Sequence, residues 1–90
     1  MTARAQVRIA NVRGLHARAA ALFAKTAQGF DAAVRVRKAE LEVDGTSIMD
    51  LMMLAAGPGS ALEIVAEGAD QEKALAALTA LVEAHFHERG

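Results

Sequence analysis

The stretch Gly14–Ala20, Gly-Leu-His-Ala-Arg-Ala-Ala, is the place where a short strand gives way to a helix. Before it, apolar residues alternate with polar ones over residues 6–10, as in a half-buried strand. After it, the run Ala19–Lys25 is rich in strong helix formers. We therefore predict a helix over residues 16–28, with His16 at or just before its first turn.

The chemistry of His16 and its neighbours suits a phosphoryl group. The leading amides of a helix, here those of Ala17 and Arg18, have no partner within the helix and favour anions. The guanidinium of Arg18 can grip phosphate with two hydrogen bonds. Both features disfavour a charged imidazole, so His16 should stay neutral and nucleophilic near pH 7. From the residues alone, the alternatives are a capping or surface role for His16 and an ordinary solvated position for Arg18.

Composition excludes several function classes. The net charge of −1 gives no basic excess for nucleic acid. The absence of cysteine removes disulfides, thiolate catalysis and zinc-finger sites. The sequence has no carboxylate pair, glycine-rich phosphate loop or metal cluster, and His85 and His87 are spaced as a polar tail rather than as ligands. We expect no metal and no cofactor, and a phosphate supplied by a partner protein.

The termini and hydropathy point to a cytoplasmic protein without membrane insertion. Residues 1–4 lead into the first strand without the apolar segment of a signal peptide, and no apolar run approaches the length of a membrane span. Ninety residues predict one domain, 1–90, with a modest core, because 22 of them are small alanines.

Periodicity along the chain predicts an α+β fold with the order β-α-β-β-α-β-α. The predicted strands lie at 6–10, 33–37, 40–43 and around Leu62, Ile64 and Ala66, and the helices lie at 16–28, at 48–54 and after Asp70. Gly29 is expected to end the first helix in a left-handed conformation. Ser47 and Asp70 are expected to cap the second and third helices, with Asp50 completing a capping box.

The charges on the strands predict their order. Strands one and two carry outward arginines, whereas strands three and four carry outward glutamates. The order 1-4-2-3 places opposite charges on neighbouring strands, which is favourable. It gives a four-stranded antiparallel sheet with a split βαβ unit, three helices on one face and an open charged face.

The second helix is apolar on all sides, which a surface helix should not be. We assign Leu51 and Leu54 to the core and predict that Ile48, Met49 and Met52 form an exposed patch for partners. The alternative is that all of these side chains are buried.

Two motifs resemble the HPr/NPr family of histidine-containing phosphocarriers. Gly-Leu-His-Ala-Arg resembles the active-site signature of that family, and Ser47–Met49 followed by Leu51–Leu54 resembles its second signature. The resemblance extends from Val7 to about Val82, and it implies an open-faced sandwich with phosphate carried on Nδ1 of His16. The family usually has proline where this chain has Ala19.

The resemblance also gives Ser47 a second role. In many members the matching serine is phosphorylated by a dedicated kinase and dephosphorylated by a phosphorylase. Family sites often have lysine where this chain has Thr46, and glycine or lysine where it has Asp50. A purely structural cap is the alternative.

As the resemblance implies, the expected function is that of a monomeric carrier rather than a stand-alone enzyme. Phosphoryl would pass from phosphoenolpyruvate-charged enzyme I to His16 and on to EIIA-type proteins, with the exposed patch docking these partners. Both sugar uptake and the nitrogen-related branch stay open, since Gly29–Ala32 resembles NPr. The rivals are a ligand-binding regulatory module with a structural His16, and a regulator that binds partners through the patch without phosphotransfer.

Overall fold

The computed structural model describes residues 1–88 and contains the seven elements in the predicted order. They are β1 (Ala3–Arg8), α1 (Ala17–Gln28), β2 (Ala33–Lys38), β3 (Leu41–Asp44), α2 (Ile48–Met53), β4 (Ala61–Glu67) and α3 (Gln71–Glu83). A single further turn, His85–His87, follows α3. Within residues 1–88, no helix is long and apolar enough to cross a membrane.

The sheet has the order β1-β4-β2-β3, and every neighbouring pair is antiparallel. The predicted order is therefore confirmed, and β1 and β2 run parallel on either side of β4. Charges meet across the open face, where Arg4 Nη1 lies 3.3 Å from Glu63 Oε1 and Arg35 Nη1 lies 3.9 Å from Glu42 Oε2. Exposed pairs of this kind contribute about 0–1 kcal/mol each, so they favour the register more than they stabilise the fold.

The helices cover the other face of the sheet and enclose one hydrophobic core. Phe23 of α1, Leu51 of α2 and Leu78 of α3 are all at most 1% exposed, and Ile64 of β4 lies beneath them in the same cluster. A stripe of buried side chains runs along α3. It consists of Ala74, Leu78, Leu81 and Val82.

Three local predictions are wrong. The first strand starts at Ala3 and ends at Arg8, because its backbone pairs with β4 from Ala3 onwards, and small alanines hide that start from the hydrophobic pattern. The alternation in the third strand, with its glutamates outward, predicts an inward Leu41, but Leu41 is 45% exposed because it is the first residue after the hairpin turn, on the edge strand. Gly29 has φ −77°, and α1 ends instead in a tight turn in which the Gly29 N–H donates to Thr26 O at 3.1 Å.

Asp70 occupies the predicted N-cap position of α3, but its side chain does not cap that helix. Its Oδ2 accepts a hydrogen bond from the backbone N–H of Asp31 at 2.9 Å, and its own N–H donates to Asp31 O at 2.9 Å. The residue therefore fastens the loop between α1 and β2 to the start of α3.

Candidate functional site

The loop before α1 is held against the loop that follows α2. The Leu15 N–H donates to Ala56 O at 2.8 Å. Gly14 has φ +66°, and a Cβ atom at this position would lie 2.6 Å from the same oxygen. Only glycine fits both the left-handed backbone and this close approach. The position of His16 at the helix start is therefore fixed by backbone contacts on its N-terminal side.

His16 is the N-cap residue of α1, with an extended backbone at φ −79° and ψ −178°. Its carbonyl accepts the first helical hydrogen bond, from Ala20 N at 2.8 Å. Its side chain makes no capping bond. The amides of residues 17–19 therefore have no acceptor within the helix, and they carry the positive end of its dipole. Such an open helix start favours a bound anion.

Arg18 lies at the second position of α1 and is exposed to solvent. It makes no ion pair with any of residues 1–88. Its guanidinium is thus available to an anion at the protein surface.

The imidazole of His16 is paired with the C-terminal tail. Its Nε2 contacts Oε2 of Glu88, and both side chains are only 16% exposed. Asn11 holds the other carboxylate oxygen, since its Nδ2 lies 2.9 Å from Glu88 Oε1 and 2.8 Å from Gly14 O. Hydrogen bonds from His16 and then Asn11 lower the pKa of Glu88, and the charge of Arg13 acts in the same direction. The carboxylate is therefore ionised at neutral pH.

Ser47 lies at the start of α2, and its side chain, unlike that of His16, caps its helix. Its Oγ accepts a hydrogen bond from Asp50 N at 3.2 Å, and its carbonyl accepts one from Leu51 N at 3.0 Å. The predicted N-cap is confirmed. The reciprocal half of the capping box is wrong, because Oδ2 of Asp50 accepts from Asp44 N at 3.4 Å instead of from Ser47 N.

The turn before Ser47 is also stabilised by a carboxylate. Oδ1 of Asp44 accepts from Thr46 N at 2.9 Å and from Thr46 Oγ1 at 2.7 Å. These bonds, the backbone one first, lower the pKa of Asp44. The backbone that presents Ser47 is therefore fixed by local hydrogen bonds.

The predicted division of α2 into a buried and an exposed side is confirmed. Leu51 is fully buried and Leu54 is 3% exposed. The exposed side has one further member beyond those predicted, Met53. We call these four side chains the Met patch: Ile48 at 42%, Met49 at 74%, Met52 at 43% and Met53 at 66% exposure. Val12, at 69%, adds an exposed apolar side chain from the loop that leads to His16.

No group of three or more His, Asp or Glu side chains is placed to hold a metal ion within residues 1–88. The start of α1 carries one imidazole, three open amides and one exposed guanidinium, and Glu88 adds a carboxylate that contacts the imidazole. This set can hold a covalently bound phosphoryl group at a protein surface.

Comparison with known proteins identifies the family. A family profile described as the PTS HPr component phosphorylation site matches residues 3–84. The phosphocarrier protein HPr of Neisseria meningitidis is 46% identical over 82 residues, covering 91% of this chain and 92% of that protein. This chain belongs to the HPr/NPr phosphocarrier family.

Further relatives of the HPr/NPr family agree in sequence and in structure. The phosphocarrier protein NPr of Escherichia coli K12 is 40% identical over 89 residues, covering 98% of this chain and 99% of that protein. The crystal structure of an HPr from Thermoanaerobacter tengcongensis has a TM-score of 0.94 at 40% identity, covering 98% of this chain and 99% of that one. The chain is thus a phosphocarrier of the bacterial phosphotransferase system, and both HPr and NPr proteins are similar to it.

Sequence reasoning missed two residues at the HPr-like site, Asn11 and Glu88. Asn11 is 1% exposed, and its position in an Asn-Val-Arg-Gly turn was the only signal that the sequence offered. Glu88 lies 72 residues from His16, in a polar tail with no recognisable pattern. A contact of this kind depends on the path of the whole chain.

Proposed function

We propose that His16 accepts a phosphoryl group from phosphorylated enzyme I and passes it to EIIA-type proteins. The single observation that carries this proposal is the open N-terminus of α1, where the side chain at the cap position makes no capping bond. The residues involved are His16 as nucleophile, the amides of Ala17 and Arg18 as phosphate ligands, and the guanidinium of Arg18.

The transfer forms one bond and breaks one bond. A lone pair of the neutral imidazole forms the N–P bond, while the bond between phosphorus and the donor breaks and the donor keeps the electron pair. Phosphoryl transfer needs positioning and charge stabilisation more than covalent help from the protein. The open amides and Arg18 supply that stabilisation to the oxygens in flight. The same groups then stabilise the phosphorylated form, and the reverse sequence delivers the group to an acceptor.

The experiment is incubation with enzyme I and phosphoenolpyruvate, followed by intact-mass analysis. We expect one acid-labile phosphate on the wild-type chain and none on His16→Ala. His85→Ala and His87→Ala are matched controls, because these two histidines are exposed and lie outside the site, and they should accept phosphate normally. A wild-type chain that gains no phosphate would favour the rival role, a regulator that only binds partners.

We propose that the Met patch is the docking surface for these partners. Its helix ends at Met53, and Ala56, three residues further along, bonds to Leu15 beside His16. Exposed methionines adapt to differently shaped partners, as a carrier between enzyme I and several acceptors requires. Alanine at Met49, the most exposed of the four, should raise the KM for enzyme I while the melting temperature stays unchanged.

We further propose that phosphorylation of Ser47 weakens docking. A phosphate at a helix N-terminus is tolerated electrostatically, so it should not melt α2. It would instead place charge beside Ile48 and Met49, where burial against a partner costs desolvation. A serine kinase and a phosphorylase would then control the carrier.

The test of this regulation is calorimetric titration of enzyme I into Ser47→Asp. Weaker binding with an unchanged melt supports the proposal. Ala80→Glu is the control, since it adds the same charge at an exposed position of α3. Equal affinity for wild type and Ser47→Asp would remove the inhibitory role, and equal weakening in the control would reduce it to a net-charge effect.

A further inference from the structure

The C-terminal tail is bound into the active-site loop by a small polar network. Asn11, buried to 1% exposure, donates from Nδ2 to both Gly14 O and Glu88 Oε1. The second oxygen of that carboxylate contacts His16 Nε2. The loop, the nucleophile and the tail are therefore connected through one carboxylate.

The tail reaches this position through an unusual backbone. His85, Phe86 and His87 have φ values of 55°, 54° and 61°, a left-handed conformation that residues other than glycine rarely adopt. Three such residues in succession persist only when their surroundings hold them. Phe86 provides one anchor, since it is 2% exposed and belongs to the core. Glu88 provides the second, at the far end of the turn.

We propose that Glu88 is a positioning residue for His16: its carboxylate accepts the Nε2 proton, which leaves the lone pair of the neutral imidazole on Nδ1. This inference rests on the proposed function, in which His16 is the nucleophile. A histidine with one nitrogen bonded to a carboxylate has both its tautomer and its ring orientation fixed. Asn11 acts behind Glu88, because it orients the carboxylate from the buried side.

The proton balance of the transfer is simple in this arrangement. Nδ1 forms the bond to phosphorus, the donor keeps its electron pair, and Nε2 keeps its proton throughout. The phosphorylated ring then carries positive charge, and the adjacent carboxylate compensates for it. When the phosphoryl group leaves, the ring returns to the neutral tautomer from which it began. No proton has to be removed by any other group.

The groups around Glu88 keep its carboxylate ionised, so that it can accept a hydrogen bond. His16 and Asn11 bond to it directly, and the charge of Arg13 in the loop also lowers its pKa. Arg18, two residues after His16 in sequence, is a further cation, and the exposed His85 and His87 lie in the turn that precedes Glu88. The alternative is that the carboxylate merely fastens the tail, with no effect on the imidazole.

Nuclear magnetic resonance of imidazole ¹⁵N nuclei in the full chain separates these two roles. The spectra are recorded at about pH 8.5, well above the ordinary histidine pKa of about 6.5. We expect His16 of the wild type to be almost entirely in the Nε2–H form, and His16 of Glu88→Ala to be a mixture of tautomers. Glu88→Gln, which keeps an acceptor oxygen but not the charge, should lie between them. Glu83→Gln, an exposed glutamate on α3, is the matched control and should resemble the wild type.

Rates of phosphate uptake from enzyme I complete the test. Glu88→Ala should lower kcat about tenfold with little change in KM, as loss of a carboxylate that orients a functional histidine does elsewhere. Glu88→Gln should recover part of the rate. An unchanged tautomer in Glu88→Ala, or an unchanged kcat, overturns the inference while leaving phosphorylation of His16 intact. A wild-type chain that is never phosphorylated overturns the proposed function instead, whatever the tautomer.

Discussion

At the start of α1 the side chain of His16 turns away from the helix amides and pairs with Glu88, whereas at the start of α2 the hydroxyl of Ser47 bonds to Asp50 N. Both residues have an extended backbone and both carbonyls accept the first helical bond, so the main difference between the two helix starts is whether the side chain at the cap position bonds to a helix amide. A capped end stabilises the helix, while an open end keeps amides and a nucleophile available to an anion. The same local geometry thus stabilises the start of α2, whereas in the proposed function it leaves the start of α1 available for phosphotransfer.

The largest expected effect concerns the open end. Arg18→Ala should raise the activation free energy of phosphotransfer by roughly 2–4 kcal/mol, because a charged contact to the phosphoryl oxygens is lost. Since Arg18 is exposed and unpaired within residues 1–88, the cost in folding free energy should be about 0.5 kcal/mol or less. Single-turnover kinetics together with a thermal melt measure the two quantities. Wild-type rates in the variant would remove Arg18 from the site.

Serine and alanine can be compared at the cap position of each of the two helices. Ser47→Ala should reduce the free energy of unfolding by about 1 kcal/mol, because the Asp50 N–H loses its acceptor. At the other end, His16→Ser should be more stable than His16→Ala by about the same amount, because serine would close an end that is open in the wild type. Urea unfolding of the wild type and the three variants gives these differences. Equal stability of His16→Ser and His16→Ala would mean that α1 is not open in solution.

Ala19→Pro makes a smaller change at the open end. The helix begins at Ala17, so position 19 lies in the first turn, where the helix does not use the amide. Proline should be tolerated, and it should raise the free energy of unfolding by roughly 0.4–1 kcal/mol because it restricts the unfolded chain. It would also bias Arg18 away from helical angles, so we expect a transfer rate changed a few-fold in either direction.

The control for this variant is Ala21→Pro, two residues further into α1. Its amide is needed by the helix, and proline there should cost about 3 kcal/mol or more. Thermal melts of both variants decide the matter. An Ala19→Pro chain as unstable as the control would show that the helix starts earlier than the structure has it.

The smallest effect is a dependence on pH. Folding lowers the pKa of Glu88 below its ordinary value of 4.5, chiefly through the hydrogen bond from His16. Its ionised form therefore contributes stability above pH 4.5, and that contribution is lost as the pH falls through the lowered pKa. The melting temperature of the wild type should exceed that of Glu88→Gln near neutral pH, and the difference should disappear in acid.

Glu83→Gln serves again as the comparison, because its carboxylate makes no hydrogen bond or ion pair within residues 1–88. A gap between wild type and Glu88→Gln that does not change with pH would mean that the Glu88 carboxylate is not bonded in its charged form.

Much of the fold could be predicted because its signals are local. Alternation and helical spacing placed all seven elements, and the signs of the strand charges gave the order 1-4-2-3. Where a signal was weak, the prediction failed. The alanines at the start of β1 carry little hydrophobic contrast with their neighbours. Leu41 continues an alternating pattern, but it lies at the exposed start of the edge strand β3. The carboxylate of Asp70 went to Asp31 because a loop distant in sequence offered it a donor.

The candidate site was likewise predictable only where its signals are local in sequence. The sequence by itself determined that a histidine stands at the start of α1 and that an arginine follows it by two residues, because the signals for the start of a helix are local. The spacing of Leu51 and Leu54 also predicted their burial on one face of α2, because residues three apart share a helix face. Only the tertiary structure decided that His16 leaves its helix uncapped and that Asn11 and Glu88, 77 residues apart, meet beside it. The physical reason is that a side chain bonds to whichever partner the folded backbone brings within reach, and for His16 that partner arrives from the far end of the chain.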